Sequence, residues 1–309
     1  MIIVVNLSSA QVCKDCLKKN THQIKSIEPI SDNSDLKIIG TYIGDNNVVS
    51  LGEATHGSRE FFMVKHRLIK YLIEEKGFNI FAIESSMPET YKLNDYVLNG
   101  VGDPKMLLMR TGYWVWHTEE VLALINWIRE YNKAHDKKVQ FVGFDMQSYE
   151  VAFQNIKDNI FDTITEINQS IEKLNSLHQE IENNKLKGIY QMSDTSIDQL
   201  YHESKFLLEK MELIKKEKFP SITQDKFSWL VQNCTILSQY ATSRSIYKPE
   251  KGYRDLCMAN NINWIKQNNS NSKIIIWAHN GHVKRDTNTM GNNLVNMGIS
   301  PYVIGFSTY

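Results

Sequence analysis

Several features are missing from this 309-residue chain, and each absence removes a class of function. No apolar run approaches the roughly 20 residues that a bilayer-spanning helix needs, so no membrane partner is expected. Neither sign of charge is in excess: 35 basic residues balance 35 acidic ones, so no global field draws nucleic acid or an anionic surface. The densest basic run, "IKKEK" at Ile214–Lys218, reads as a solvated helix face. Cysteine is scarce, with four residues. Cys13 and Cys16 form a C-x-x-C, but no second pair follows at zinc-ribbon spacing and no βαβ unit surrounds it, so no redox or metal role is assigned. The start, "MIIVVNLSSAQ", has a short apolar run and a cleavage-like "SSAQ". It lacks a basic leader, so a cytoplasmic protein is expected, or an exported one if a longer upstream signal exists. No G-x-S-x-G elbow is present, which argues against a serine nucleophile of the α/β-hydrolase kind. No cysteine follows a strand near a histidine. No P-loop or G-x-G-x-x-G is present either, which argues against nucleotide phosphates. Internal repeats and low-complexity tracts are also lacking.

What is present is an alternation of strands and helices. Five runs read as buried parallel strands: "NVVSL" (47–51), "NIFAI" (79–83), "VQFVGF" (139–144), "KIIIW" (273–277) and "YVIGF" (302–306). Each is rich in β-branched and aromatic residues with little polar alternation, as strands covered on both faces require. Between them, 58–76, 119–135 and about 253–267 carry helical stripes, and Gly77 is a stop signal for the first. From about Ser148 to Lys248 no strand is expected. Three long amphipathic helices fill that region, with Gly188, "SDTS" at 193–196 and Pro220 as breakers. The fold class is therefore α/β: a central, mostly parallel sheet flanked by helices, with a long all-helical insertion expected over the C-terminal edge of the strands. The expected divisions are an N-terminal extension (1–36), an α/β domain (37–147 and 249–309) and the insertion (148–248).

Ligands of open α/β sheets bind beyond the carboxyl ends of the strands, so the residues that follow each strand matter most. After the first strand come Glu53 and His56, in "LGEATHGSREFF". Glu84 follows the second, Asp145 the third, and His279 and His282 the fourth. Each alone has a structural reading, as a dipole-compensating acid, a helix cap or a hydrogen-bonded histidine. Four strands delivering such groups to one edge point to a site. Histidine with carboxylate can activate water by general-base catalysis, the acid fixing the imidazole tautomer. The same set, Glu53, His56, Glu84, His279 and His282, suits a divalent metal such as zinc or manganese. Sequence leaves both open.

These motifs are shared with a known family. "GEATHGSREFF", "FAIE", "YWVWHTEEV" (113–121), "FVGFDMQ", "YRDLCMANN" (253–261) and "WAHNGHV", in this order, resemble the erythromycin esterase family from about Lys37 onward. Known members hydrolyse the lactone of fourteen-membered macrolides and so inactivate the antibiotic, others have no assigned substrate, and the mechanism proposed for the family has no covalent intermediate. The resemblance implies a carboxylic ester hydrolase with a small-molecule partner, a macrolide, and no cofactor. It implies His56 as general base, with Glu53 and Glu84 orienting it. His279 and His282 lie opposite, to steady the oxyanion or protonate the leaving alkoxide. A first-helix basic residue, usually arginine in the family, corresponds to Lys65, which neutralises charge but lacks the bidentate fork. Asp145, Tyr113, Trp114, Trp116 and Arg254 are the substrate-side candidates. Trp229 and Tyr240 of the insertion could add aromatic wall, though aromatics at helical spacing are more often core. Family members usually continue past "VIGFSTY". A metal-dependent hydrolase on the same residues, or a non-catalytic ligand-binding homologue, are the alternatives. Oligomeric state is not legible.

Overall fold

The structure, a computed structural model, describes residues 2–5, 21–160, 164–214, 219 and 222–307. Cys13, Cys16, Pro220 and most of the basic run at 214–218 lie outside the described residues. The chain divides into two compact units, Met1–Asp145 with Met258–Tyr309, and Met146–Cys257.

The first unit is built on a six-stranded sheet. Its strands are β1 (Ile2–Val5), β2 (Val48–Leu51), β3 (Ile80–Ser86), β4 (Gln140–Asp145), β5 (Ile274–Trp277) and β6 (Tyr302–Ser307), in the order β1-β6-β2-β5-β3-β4. The five expected strands pair in parallel. The sixth, β1, runs antiparallel along β6 with Ile2 opposite Ser307. The sequence reading treated 1–36 as an extension outside the α/β domain. Four β-branched residues in a row suffice for a short edge strand, and the apolar start is used that way.

Parallel strands buried on both faces divide their side chains by period two. Val49, Leu51, Phe81, Ile83, Ile275, Trp277 and Ile304 join one apolar cluster. Val48, Ile80, Ala82, Ile274, Ile276 and Ala278 join the cluster on the other face. The register then sets the functional edge. Trp277 pairs with Leu51 on one side and Ile83 on the other. One or two residues further along, these three strands deliver Glu53, His279 and Glu84 at the same level.

Helices α1 (Lys37–Ile43), α2 (Arg59–Lys76), α3 (Tyr91–Asn99), α4 (Pro104–Met109) and α5 (Glu119–Ala134) lie between β1 and β4 in the chain. Helix α2 buries Phe61, Phe62, Val64, Leu68, Ile69, Leu72 and Ile73 and ends at Gly77, whose φ of 71° is the left-handed cap that glycine adopts without strain. Lys65 lies on the same buried stripe. Two residues on, buried Arg67 holds the segment before α1. It donates to Ser26 O at 2.6 Å and to Asp32 O and the Asp35 carboxylate.

The second unit contains helices α6 (Glu150–Ile160), α7 (Thr165–Leu186), α8 (Asp194–Leu213) and α9 (Gln224–Arg244), around a core that includes Phe153, Ile171, Leu207 and Leu237. Three of these are the long helices read from sequence. Helix α10 (Tyr253–Asn268) begins in this unit and continues into the first, followed there by α11 (Asn280–Val283) and α12 (Met290–Asn296). Among the described residues no helix is long and apolar enough to cross a membrane.

Candidate active site

The site begins where β2 stops. Gly52 donates to Ile304 O at 2.8 Å, and a Cβ there would lie 2.1 Å from Asn280 Oδ1. Only glycine lets the β2 loop approach α11 this closely. The contact is sealed by Asn280 N donating to Glu53 O at 2.8 Å and Asn280 Nδ2 donating to Phe306 O at 2.7 Å. The Glu53 backbone is thereby fixed against β5 and β6 before its side chain makes any contact.

The Glu53 carboxylate is fully buried and holds three donors. Oε1 lies 2.6 Å from His56 Nδ1. Oε2 accepts from Lys65 Nζ at 2.7 Å and from Trp277 Nε1 at 2.9 Å. Burial by itself raises a carboxyl's pKa. Here the Lys65 charge and the donors on both oxygens outweigh it and hold Glu53 below the ordinary carboxylate value. An ionised carboxylate only accepts, so His56 carries its proton on Nδ1. Its Nε2 makes no hydrogen bond to any described residue, and the side chain is 32% exposed. The imidazole packs edge-on to Trp116, with 5.5 Å between ring centroids, and 5.4 Å from the ring of His279.

Lys65 is wholly buried. Burial pulls its pKa down to about 8, against the opposing pull of Glu53 and Glu84. Its ammonium also sits 4.5 Å from the centre of the Trp277 ring. The sequence reading gave Lys65 the task of neutralising charge. The geometry directs that charge at Glu53.

Glu84 is the second buried carboxylate. Oε2 accepts from His279 N at 2.9 Å, and Oε1 lies 3.4 Å from His282 Nε2. Its main-chain oxygen accepts from Trp116 Nε1 at 2.8 Å. The strand bulges between Ile83 and Ser86 in its pairing with β4. At that point Gly143 has room for no Cβ, which would lie 2.4 Å from Ser85 O.

The two histidines of "WAHNGHV" are used differently. His279 is the N-cap of α11: Nδ1 accepts from Gly281 N at 3.0 Å, which leaves the proton on Nε2, 3.0 Å from Ala54 O. Both ring nitrogens are thus engaged with backbone, in the tautomer opposite to that of His56. His282 keeps a partly exposed ring beside Glu84.

The aromatic candidates also separate. Trp116 is buried against His56, Phe62 and Trp277. Tyr113 donates to Asp145 Oδ2 at 3.1 Å, and Asp145 is fully buried. The next helix starts at Glu150. Trp114 is 77% exposed. Arg254, Trp229 and Tyr240 belong to the second unit, where Trp229 and Tyr240 pack on its core. Trp277 was not among the sequence candidates.

Two of the five candidate metal ligands are already engaged. Glu53 spends both oxygens on His56, Lys65 and Trp277, and His279 spends both nitrogens on backbone. Among the described residues no group of three or more His, Cys, Asp or Glu side chains is arranged to hold an ion.

Comparison with known proteins decides the lineage. The family model described as erythromycin esterase matches residues 73–309. The chain belongs to the erythromycin esterase family. Glu84, Asp145, His279 and His282 fall inside the matched region, and Glu53, His56 and Lys65 precede it. The chain is 25% identical over 313 aligned residues to "Erythromycin esterase type II" of Escherichia coli, covering 89% of this chain and 73% of that one. It is 26% identical to "Putative hydrolase YbfO" of Bacillus subtilis, covering 84% of this chain and 61% of that one. Among solved structures, a Bacillus cereus protein superposes with a TM-score of 0.77 at 27% identity, over 94% of this chain and 72% of that one. A histidine-to-asparagine mutant of the erythromycin esterase EreC, in its open conformation, superposes at 0.74 with 18% identity, over 90% and 74%. That second likeness speaks for the fold. Membership of this family places the chain among hydrolases.

Proposed function

We propose that the chain hydrolyses a carboxylic ester, with the lactone of an erythromycin-type macrolide as its first-choice substrate. The observation that carries this reading is the Glu53–His56 pair: a buried, ionised carboxylate 2.6 Å from Nδ1 of a partly exposed imidazole whose Nε2 is open. Glu53 fixes the tautomer and stabilises the imidazolium that forms.

In the proposed reaction, His56 Nε2 takes a proton from water as the water oxygen attacks the lactone carbonyl carbon. The carbonyl oxygen becomes the oxyanion of a tetrahedral intermediate. Its collapse breaks the ester C–O bond, and the alkoxide takes a proton from protonated His282, whose Nε2 lies 3.4 Å from Glu84 Oε1. The product is the ring-opened hydroxy acid, one water heavier than the lactone; its carboxyl proton returns His282 to the charged form, and His56 passes its proton to solvent. No group on the protein forms a covalent bond. The engaged nitrogens of His279 suit positioning of the β5 loop better than proton transfer. Half-buried Tyr113 and exposed Trp114 offer aromatic surface of the kind a large ring prefers.

The test is incubation with a panel of macrolides of different ring size, read by mass spectrometry. Wild type is expected to give the water adduct of at least one, and His56→Ala to remain folded without doing so. Expression of wild type alone should then raise the macrolide tolerance of a sensitive host. Full turnover by His56→Ala contradicts the mechanism.

A further inference from the structure

Trp277 is 1% exposed and reaches no substrate, yet its only polar atom is spent on the proposed dyad. Its indole is held on every side. The strand register sets its height between Leu51 and Ile83. Phe62 meets the ring edge-on at 5.0 Å and Trp116 at 5.7 Å between centroids, and the Lys65 ammonium faces it at 4.5 Å. Nε1 therefore has one direction to point, at Glu53 Oε2, where Lys65 Nζ also arrives. Two donors on one oxygen leave the other oxygen to His56.

We propose that Trp277 is a positioning residue: its Nε1–H, on the Glu53 oxygen that Lys65 also holds, aims the opposite oxygen at His56 Nδ1 and so selects the His56 tautomer with Nε2 free for water. This rests on the hydrolytic reading for its catalytic consequence, but the tautomer itself is a property of the resting protein. A charged partner such as Lys65 can neutralise Glu53 from many directions. An indole N–H clamped in a core donates along one line, and that directionality is what the dyad needs. Phenylalanine would fill most of the space and donate nothing.

The experiment compares wild type, Trp277→Phe, and a variant with benzothienylalanine placed at position 277 by site-specific incorporation, which keeps the indole shape and removes the N–H. Nitrogen-15 spectra of histidine-labelled protein are recorded where the rings are neutral, and the His56 resonances are assigned by their loss in His56→Ala. Wild type is expected to show His56 as a single Nδ1–H tautomer, and both variants a mixture of tautomers. Their kcat is expected to fall about ten- to a hundredfold, the size of one hydrogen bond to a charged group, with KM changed by less than about twofold. An unchanged single tautomer in the benzothienylalanine variant overturns the proposal, even if Trp277→Phe does not fold. Absence of ester turnover in wild type, with the tautomer result as expected, contradicts the hydrolytic reading and not the positioning role.

Discussion

Removing the Lys65 charge is the most demanding perturbation that the site allows. In Lys65→Met the side chain keeps an unbranched four-atom stem and loses its ammonium. The ion pair with Glu53 spans 2.7 Å, and neither side chain is exposed. Charges at that distance attract by about 6 kcal/mol at an effective dielectric near 20. Much of this offsets the desolvation of both groups, so the pair adds little net stability over a pair of apolar side chains. Breaking it from one side is different, because Glu53 stays buried without its counter-charge. The expected loss is about 3–5 kcal/mol, read by urea unfolding near neutral pH. Loss of Lys65 also lets burial dominate at Glu53, so its pKa rises and the acid limb of the activity profile moves to higher pH.

The pH dependence of wild type follows from the same pair. Lys65 titrates at about 8 in the fold against 10.5 when free. Below about 8 it is charged in both states, and the attraction of Glu53 and Glu84 offsets only part of the cost of burying it. Between the two values only the unfolded chain holds the proton, so the contribution of Lys65 to stability rises with pH in that window. Glu53 runs the same way in the acid range: its pKa is lowered in the fold, so its contribution is present above the ordinary carboxylate value and is lost as pH falls through the folded one. Activity is expected to decline above about pH 8, where Glu53 loses its charged partner. Arginine stays charged throughout this range, so Lys65→Arg should abolish that alkaline limb, at an overpacking cost of about 1–3 kcal/mol. The reasoning is refuted if Lys65→Met lies within about 0.5 kcal/mol of wild type. It is equally refuted if the alkaline limb persists in Lys65→Arg.

Other expectations can be checked with the same protein. His282→Ala should lower kcat by about a hundredfold or more and KM far less, since a proton donor acts at the transition state; equal activity would move the acid role elsewhere. Gly143→Ala forces a methyl to 2.4 Å from Ser85 O and should destabilise by about 1–3 kcal/mol while displacing Glu84, so thermal unfolding and kcat should fall together. Prolonged dialysis against chelator should leave ester turnover unchanged; restoration by zinc or manganese of a lost activity would favour a metal-dependent route.

The sheet was legible because its strands are short apolar runs with glycine and polar breaks, and the site edge because four of them end in Glu, Asp or His. Helix α2 was legible to its cap, since Gly77 closes a clear stripe. Edge strand β1 was not, because four apolar residues at a chain start carry no periodicity to separate a strand from a leader. The role of Lys65 was half visible: its place on the stripe with Phe61 and Phe62 already implied burial, and a buried ammonium needs a carboxylate. Which carboxylate depended on the register of β2 against β5. Trp277 was hidden for a related reason. Its period-two parity with Ile275 sets its face, but only the pairing with Leu51 brings the indole to Glu53. The separate uses of His279 and His282 could not be read from spacing, because they depend on which ring nitrogen meets a backbone group.

The most direct measurement is the rate of macrolide ring opening by wild type and by His56→Ala under identical conditions, followed by the mass of the product. Wild type should convert the lactone to a species heavier by one water, and His56→Ala, with an unchanged unfolding profile, should be slower by about a hundredfold or more. A wild-type protein that opens no macrolide lactone would contradict the proposed substrate. A fully active His56→Ala would contradict water activation at His56.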